Sequence, residues 1–253
     1  MGLTNFKISE PWMTKMLEVL TLEKSEGAYF DVGVNIGQTL VKLKSVNTSI
    51  NYYGFEPNPT CIFYSKKLIE LNNFQNVTLF PCGISNSNSL YELSFYSSDD
   101  TDSAASMITN FRPNQIIFKK EYIPCYNVAQ VFLGINVPKV AILKIDVEGG
   151  ELEVLEGMER IIESDKPFIQ IEILPVYSNE NENRLERQNK IESLLKKWDY
   201  VIFRILVNSD NEIDKVQLIE TIGIHSDMKW CEYLFVAKNQ MVRIESLFNC
   251  DQH

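Results

Sequence analysis

A chain of 253 residues with 45% hydrophobic content fits a single α/β domain with an ample core and no need of disulfide staples. Its formal charge of −10 and pI near 4.8 argue against a phosphate-rich partner, because nucleic-acid affinity is built from clustered Lys and Arg. The five cysteines are scattered, odd in number and free of any Cys-x-x-Cys pair, and no signal-peptide core, transmembrane run or lipidation motif is found; the expectation is a soluble, cytoplasmic chain with reduced thiols and no membrane span.

Ser9 and Pro11 open a helical pattern with apolar residues at Trp12, Met13, Met16, Leu17 and Leu20, which predicts an N-terminal helical arm within residues 1–26. The main domain is expected over 27–238, with 239–253 as a loose tail. Strand 27–32, helix 36–45, strand 51–55, helix 59–72 and strand 77–81 follow in turn. This βαβαβ rhythm implies a parallel sheet with right-handed crossovers.

The stretch between the first strand and helix, Asp31-Val32-Gly33-Val34-Asn35-Ile36-Gly37, is a tight loop leading to a helix N-terminus. Gly33 and Gly37 let a ligand lie against the main chain. In a dinucleotide fold such a loop receives a pyrophosphate, but Asp31 would repel an anion and suits a cationic end, such as the amino group of S-adenosylmethionine. Glu56, at the tip of the second strand and 23 positions after Gly33, has the spacing of a carboxylate that accepts hydrogen bonds from ribose hydroxyls. A dehydrogenase would need Gly-x-Gly-x-x-Gly, and Asn35 and Gly37 stand where that pattern fails.

Segment 85–135 breaks the rhythm. Ser89–Tyr96 alternates like a strand, 97–106 is a polar loop and 121–132 again looks extended, so a β-rich excursion over the cofactor edge is expected. Its aromatics, Tyr91, Phe95, Tyr96, Tyr122 and Tyr126, either pack in a hairpin core or offer flat faces to a sugar ring. Val140–Ile145 returns as a buried strand and ends in Asp146-Val147-Glu148-Gly149-Gly150, two carboxylates at the edge where doubly wound sheets bind ligands. Leu152, Leu155, Met158 and Ile162 then mark a helix whose acids Glu151, Glu153 and Glu156 are expected on the solvent side. Strand 168–174 carries Glu172 within an apolar run, placed at the open sheet end or buried at a cost. A helix around 185–198 and closing strands at 201–207 and 233–236 complete the pattern, with His225 before the last strand.

The blocks Phe30–Gly37, Phe55-Glu56-Pro57-Asn58-Pro59 and Leu143–Gly157 together resemble, in order and spacing, the three signatures of the FkbM family of S-adenosylmethionine-dependent methyltransferases over roughly residues 28–175. The resemblance implies a class I methyltransferase fold, Rossmann-like and doubly wound with a mostly parallel sheet, an N-terminal helical arm and a β-rich insertion. It implies, most often, O-methylation of a sugar or polyketide hydroxyl in a natural-product or glycan pathway, and a saccharide or glycan precursor is the acceptor expected here. Carried over by position, Asp31, Gly33, Asn35 and Gly37 form the methionine-end loop and Glu56 binds ribose. Gly83 and Ser85 resemble the block that passes the adenine, and Asp146, read from its place at the strand end, is structural or positions the donor. The run Tyr126-Asn127-Val128-Ala129 departs from the acidic Leu-Asp-Asp-like run common in relatives.

Methyl transfer from a sulfonium is a direct displacement that needs an aligned acceptor and, for an alcohol, a base. Glu148 is the first candidate, then Glu172, with Asp146 and His225 behind. The same carboxylates could hold a divalent cation that lowers the acceptor hydroxyl's pKa, but no ligand spacing singles out a metal site and none is predicted. Two other readings are a noncatalytic S-adenosylmethionine-binding or scaffold domain and a methyltransferase acting on a polyketide or peptide. The sequence leaves the oligomeric state open.

Overall fold

The computed structural model describes residues 9–24, 26–109, 111–112, 114–132, 134–136 and 138–248. In chain order come α1 (Pro11–Glu23), β1 (Ala28–Val32), α2 (Gln38–Val46), β2 (Asn51–Phe55), α3 (Pro59–Asn72) and β3 (Val77–Phe80). Next are β4 (Gly83–Ile84), β5 (Ser89–Phe95), β6 (Lys119–Tyr126), the single turn α4 (Val128–Val131) and β7 (Val140–Ile145). The chain continues through α5 (Glu151–Gly157), α6 (Glu159–Asp165), β8 (Phe168–Glu172), α7 (Glu182–Lys197), β9 (Tyr200–Val207), β10 (Ile213–Ile219), β11 (Glu232–Ala237) and α8 (Met241–Phe248).

Eight strands make one sheet in the order β10-β9-β11-β8-β7-β1-β2-β3. β3, β2, β1, β7 and β8 run parallel, β11 enters antiparallel between β8 and β9, and β10 lies antiparallel on β9. From β1 the chain winds outward to β2 and β3, then crosses back to β7. The order therefore reverses between β1 and β7, and the crevice beyond their C-terminal ends is where a doubly wound sheet receives ligands. Both strands are buried along their whole length, which is why Ala28–Val32 and Val140–Ile145 read as nearly continuous apolar runs.

The pleat divides the core. Phe30, Val32, Leu143 and Ile145 pack on one face with Leu152, Leu155 and Trp198. Tyr29, Tyr52 and Ile142 pack on the other with Leu40, Leu43 and the α1 residues Trp12, Met16, Leu17 and Leu20. The expected arm is thus part of the second core layer, and burial of each such side chain contributes about 1.5–3 kcal/mol.

Several expectations change. β4, β6 and β5 form a separate three-stranded sheet, the β-rich excursion. Its last part is helical rather than extended, because the Asn127 side chain accepts from Ala129 N and starts a turn. The helix expected through Ile162 breaks at Met158. A Cβ on the preceding Gly157 would lie 2.3 Å from the Ser85 carbonyl oxygen, so the chain turns where it presses on β4. Glu151, expected in solvent, is buried. Residues 241–248, expected in a loose tail, form α8 with Ile244 buried in the second core layer; residues 249–253 lie outside the described residues. Four cysteines are free and buried, and Cys250 lies outside the described residues. No helix among the described residues is long and apolar enough to cross a membrane.

Candidate active site

The loop after β1 is bent by two left-handed residues, Gly33 at φ +92° and Asn35 at φ +48°. A Cβ on Gly33 would fall 1.8 Å from the Asp146 carbonyl oxygen, so only glycine lets the loops after β1 and β7 pass this closely. The bend aims the Asn35 amide at Glu56 Oε2 and the Asn58 amide reaches Glu56 Oε1, both at 2.8 Å. Burial pushes the Glu56 carboxyl up to about 7 despite these two amides, which pull it down. A carboxylate offers about four lone-pair sites, so Glu56 keeps acceptor capacity after both amides are bound.

Above this loop lies a cleft of about 200 Å³. One part is apolar, walled by Phe55, Ile84, Leu93, Met107, Ile123 and Val154, and the other is polar, with Asn35, Glu56, Asn58, Asp146, Glu148 and Glu172. The loop from Ser97 to Ser106 covers it and is tied down from below: Asn35 Nδ2 donates to Thr101 O at 3.3 Å and Asn58 Nδ2 to Asp100 O at 2.8 Å. Asp102 holds that loop in shape by accepting from Tyr96 N, Ser97 N and Ala104 N at 2.7–3.0 Å. A second cleft of about 190 Å³ shares Gly33, Asn35, Ser103, Asp146 and Glu172 with the first and continues to Lys144, Gln170, Glu232 and Glu10.

The join between the clefts is acidic. One carboxylate oxygen each from Asp146, Glu148 and Glu172 lie within 4.8 Å of one another. Burial, followed by the charges of Asp146, Glu232 and Glu148, pushes Glu172 up to about 10, and burial with Asp146 pushes Glu232 to about 8. Three hard oxygen donors at this spacing are chemically suited to a divalent cation, while a proton on Glu172 holds the same trio together without one. Lys144 Nζ lies 3.1 Å from Asp146 and 3.6 Å from Asp31. Burial opposes its charge, yet Asp146 and Asp31 hold its pKa above the usual lysine range. Glu148 sits at φ +51°, an uncommon conformation for a side-chain-bearing residue, and accepts from Arg112 at 2.5 Å. Burial raises its pKa first, and Arg112 partly offsets the rise.

Of the residues singled out from sequence, Gly33, Asn35, Glu56, Gly83, Asp146, Glu148 and Glu172 line the first cleft together. Asp31, Gly37, Ser85 and His225 line neither cleft. Asp31 lies on the pleat side that faces the core, fully buried, accepting from Tyr52 Oη at 2.6 Å and pairing with Lys144. Gly37 caps α2, and Ser85 Oγ donates to Tyr91 Oη at 2.9 Å. His225 Nε2 lies 3.2 Å from Tyr233 Oη, with its pKa lowered by burial and by Arg204. The excursion's aromatics leave the first cleft to Leu93, Met107 and Ile123, and Tyr122 points to solvent at 73% exposure. Sequence reading missed Asn58, Asp102, Lys144, Arg112 and Glu232. Asn58 and Lys144 were within reach, inside the quoted blocks; the others arrive through long-range contacts that no local spacing reports.

The chain matches the family model of the methyltransferase FkbM domain over residues 31–202. It is 28% identical over 143 residues to Methyltransferase 1 of Beauveria bassiana, covering 51% of this chain and 57% of that protein. With hexuronic acid methyltransferase AglP of Haloferax volcanii it shares 28% identity over 191 residues, covering 73% of this chain and 74% of the relative. Among solved structures, methyltransferase FkbM from Methylobacillus flagellatus superposes with a TM-score of 0.50 at 18% identity, covering 83% of this chain and 43% of that one. The chain thus spans under two thirds of the length of the Beauveria protein and of the Methylobacillus structure.

Proposed function

The chain belongs to the FkbM methyltransferase family, and on that premise we propose that it binds S-adenosylmethionine in the cleft beyond β1 and β2 and methylates a hydroxyl of a small saccharide or glycan precursor. The observation that carries this reading is Glu56. It stands at the tip of β2, fixed by two amides, with lone pairs left for ribose hydroxyls and an apolar wall alongside for a flat base. An open apolar-to-acidic cleft fits a ligand that is aromatic at one end and cationic at the other.

Gly33, Asn35, Glu56, Gly83 and Asp146 would contact the donor. Asp31, Gly37 and Ser85 would support the loops that do so, Asp31 by holding Lys144 in place. The donor supplies an electrophilic methyl on a sulfonium. Glu148 lies on the crevice side of β7, and its raised pKa suits a carboxylate that takes a proton from an acceptor hydroxyl. Arg112 orients it. Glu172, above neutrality, would be an acceptor clamp rather than a base while protonated. The sugar assignment is supported by the relationship to a hexuronic acid methyltransferase and by the acidic surface, which disfavours nucleic acid.

Calorimetry with S-adenosylmethionine, S-adenosylhomocysteine and NAD tests the donor: the first two should bind, and binding of NAD alone would reverse the assignment. A labelled-methyl assay against sugar nucleotides, glycan extract, tRNA and protein extract tests the acceptor. Label found in tRNA or protein and never in carbohydrate would sink the saccharide reading.

A further inference from the structure

We propose that the cavity behind Glu148, between Arg112 and Arg184, is the acceptor's subsite and receives an anionic group, so that the acceptor is an acidic saccharide bearing a carboxylate or a phosphate. This rests on the methyltransferase reading and deepens it.

The cavity measures about 490 Å³ and is walled by Phe111, Arg112, Asn114, Tyr177, Asn181 and Arg184, with one carboxylate, the exposed Glu180, also lining it. Arg112 joins it to the chemistry: the guanidinium that lines this cavity also donates to Glu148, which lines the donor cleft. A molecule held here would therefore lie beside the candidate base.

The charge at this cavity is unusual for a chain of net −10. Arg187 nearby is neutralised, since both its terminal nitrogens bond Glu153. Arg184 is different: its terminal nitrogens donate to the carbonyls of Pro175 at 3.2 Å and Phe111 at 3.0 Å, and none of the ion pairs among the described residues includes it. Its guanidinium carbon lies over the Phe111 ring, 4.4 Å from the ring centre, which helps hold it in place. It is half-buried, and burial lowers its pKa first; Arg112 adds to the lowering, while Tyr177 and Glu151 oppose it. Arg112 is already paired with Glu148, so the cation without a carboxylate at ion-pair distance is Arg184, and beside the Arg112–Glu148 pair it forms a receptor for a planar or tetrahedral anion. Tyr177 and Phe111 add aromatic surface, and Asn114 and Asn181 add neutral hydrogen-bonding groups suited to hydroxyls.

The test is a binding comparison on the protein loaded with S-adenosylhomocysteine, using glucuronate, glucose 1-phosphate and glucose as probes in saturation-transfer NMR. At least one acidic probe should bind at least about tenfold more tightly than glucose, the scale of one charge-assisted hydrogen bond. Glucuronate alone would assign a carboxylate and glucose 1-phosphate alone a phosphate. Arg184→Gln should remove most of the preference and Arg184→Lys should keep part of it, which a purely structural role for Arg184 would not produce. Asn114→Asp, at an exposed position, should weaken the acidic probes about tenfold by placing a negative charge in the cavity, and S-adenosylhomocysteine binding reports that each variant is folded. Equal binding of glucose, no binding of either acid, or unchanged acid binding in Arg184→Gln and Asn114→Asp would overturn the proposal. Failure to bind S-adenosylhomocysteine would strike the donor reading instead, and the same probes would then be compared on the unloaded protein.

Discussion

Glu56 holds two loop amides, and in the proposed reading it also accepts from the donor's ribose, so one substitution removes both. In Glu56→Ala the donor loses its ribose acceptor, a loss of about 1.5–3 kcal/mol or roughly 10- to 150-fold in Kd. The amides of Asn35 and Asn58 also lose their partner, at about 1–3 kcal/mol for each left unsatisfied. Calorimetry and thermal melting on one variant should show both effects, and unchanged donor affinity would remove Glu56 from the site. Glu148→Gln separates chemistry from binding: turnover should fall about 100-fold or more, with donor affinity within a few-fold because Glu56 and the β1 loop are untouched. Loss of both together would mean that the β7 loop, already strained at φ +51°, had collapsed. Glu56 was legible in the sequence because a loop and an acid on adjacent strands are a local pattern. The Glu148–Arg112 pair spans 36 positions across the excursion, so nothing near Glu148 announces its partner.

The element that closes the first cleft is the loop from Ser97 to Ser106, and Asp102 is its internal brace. Three backbone amides converge on one carboxylate, an arrangement that shapes the loop without using apolar core. Asp102→Ala should lower the melting temperature by a few degrees, since three amides lose their partner, speed amide exchange across 97–106 and raise KM for the donor about tenfold; unchanged exchange would show that Asn35 and Asn58 alone hold the loop. Strands β1 and β7 were legible as short, nearly continuous apolar runs bounded by turn residues, and helix α3 by its Asn58 cap and Pro59 start. β10 was missed because the register shift between Ile213 and Lys215 breaks the alternation that would have marked it. α8 was missed because only Ile244 among its residues is buried.

The whole molecule gathers carboxyls whose protons it keeps past their ordinary range. Burial leads in each case: Glu56 and Glu151 rise to about 7 and Glu232 to about 8. An acid raised on folding holds its proton where the unfolded chain, near 4.3, has lost it. Between those values the folded state binds more protons, so stability falls as pH rises. Thermal melts of the free protein should therefore peak near pH 5 and decline through pH 7 to 8. Glu232→Gln should flatten the upper part of the decline, and a melting temperature that rises from pH 5 to 8 would contradict the scheme.

The trio of Asp146, Glu148 and Glu172 bears on how the catalytic cycle clears itself. With S-adenosylmethionine as donor, each turnover converts a cation into a neutral thioether beside a wall of carboxylates. The sulfonium's share of the attraction that helps load the cleft is lost once transfer is complete, while the contacts to ribose, base and the methionine amino group stay the same. Product inhibition should then ease as pH rises and Glu172, pushed up to about 10, begins to ionise. The ratio of product Kd to donor Kd, followed by calorimetry from pH 6 to 9, should grow across that range, so that the pH least favourable to the fold is the one at which spent product leaves most readily.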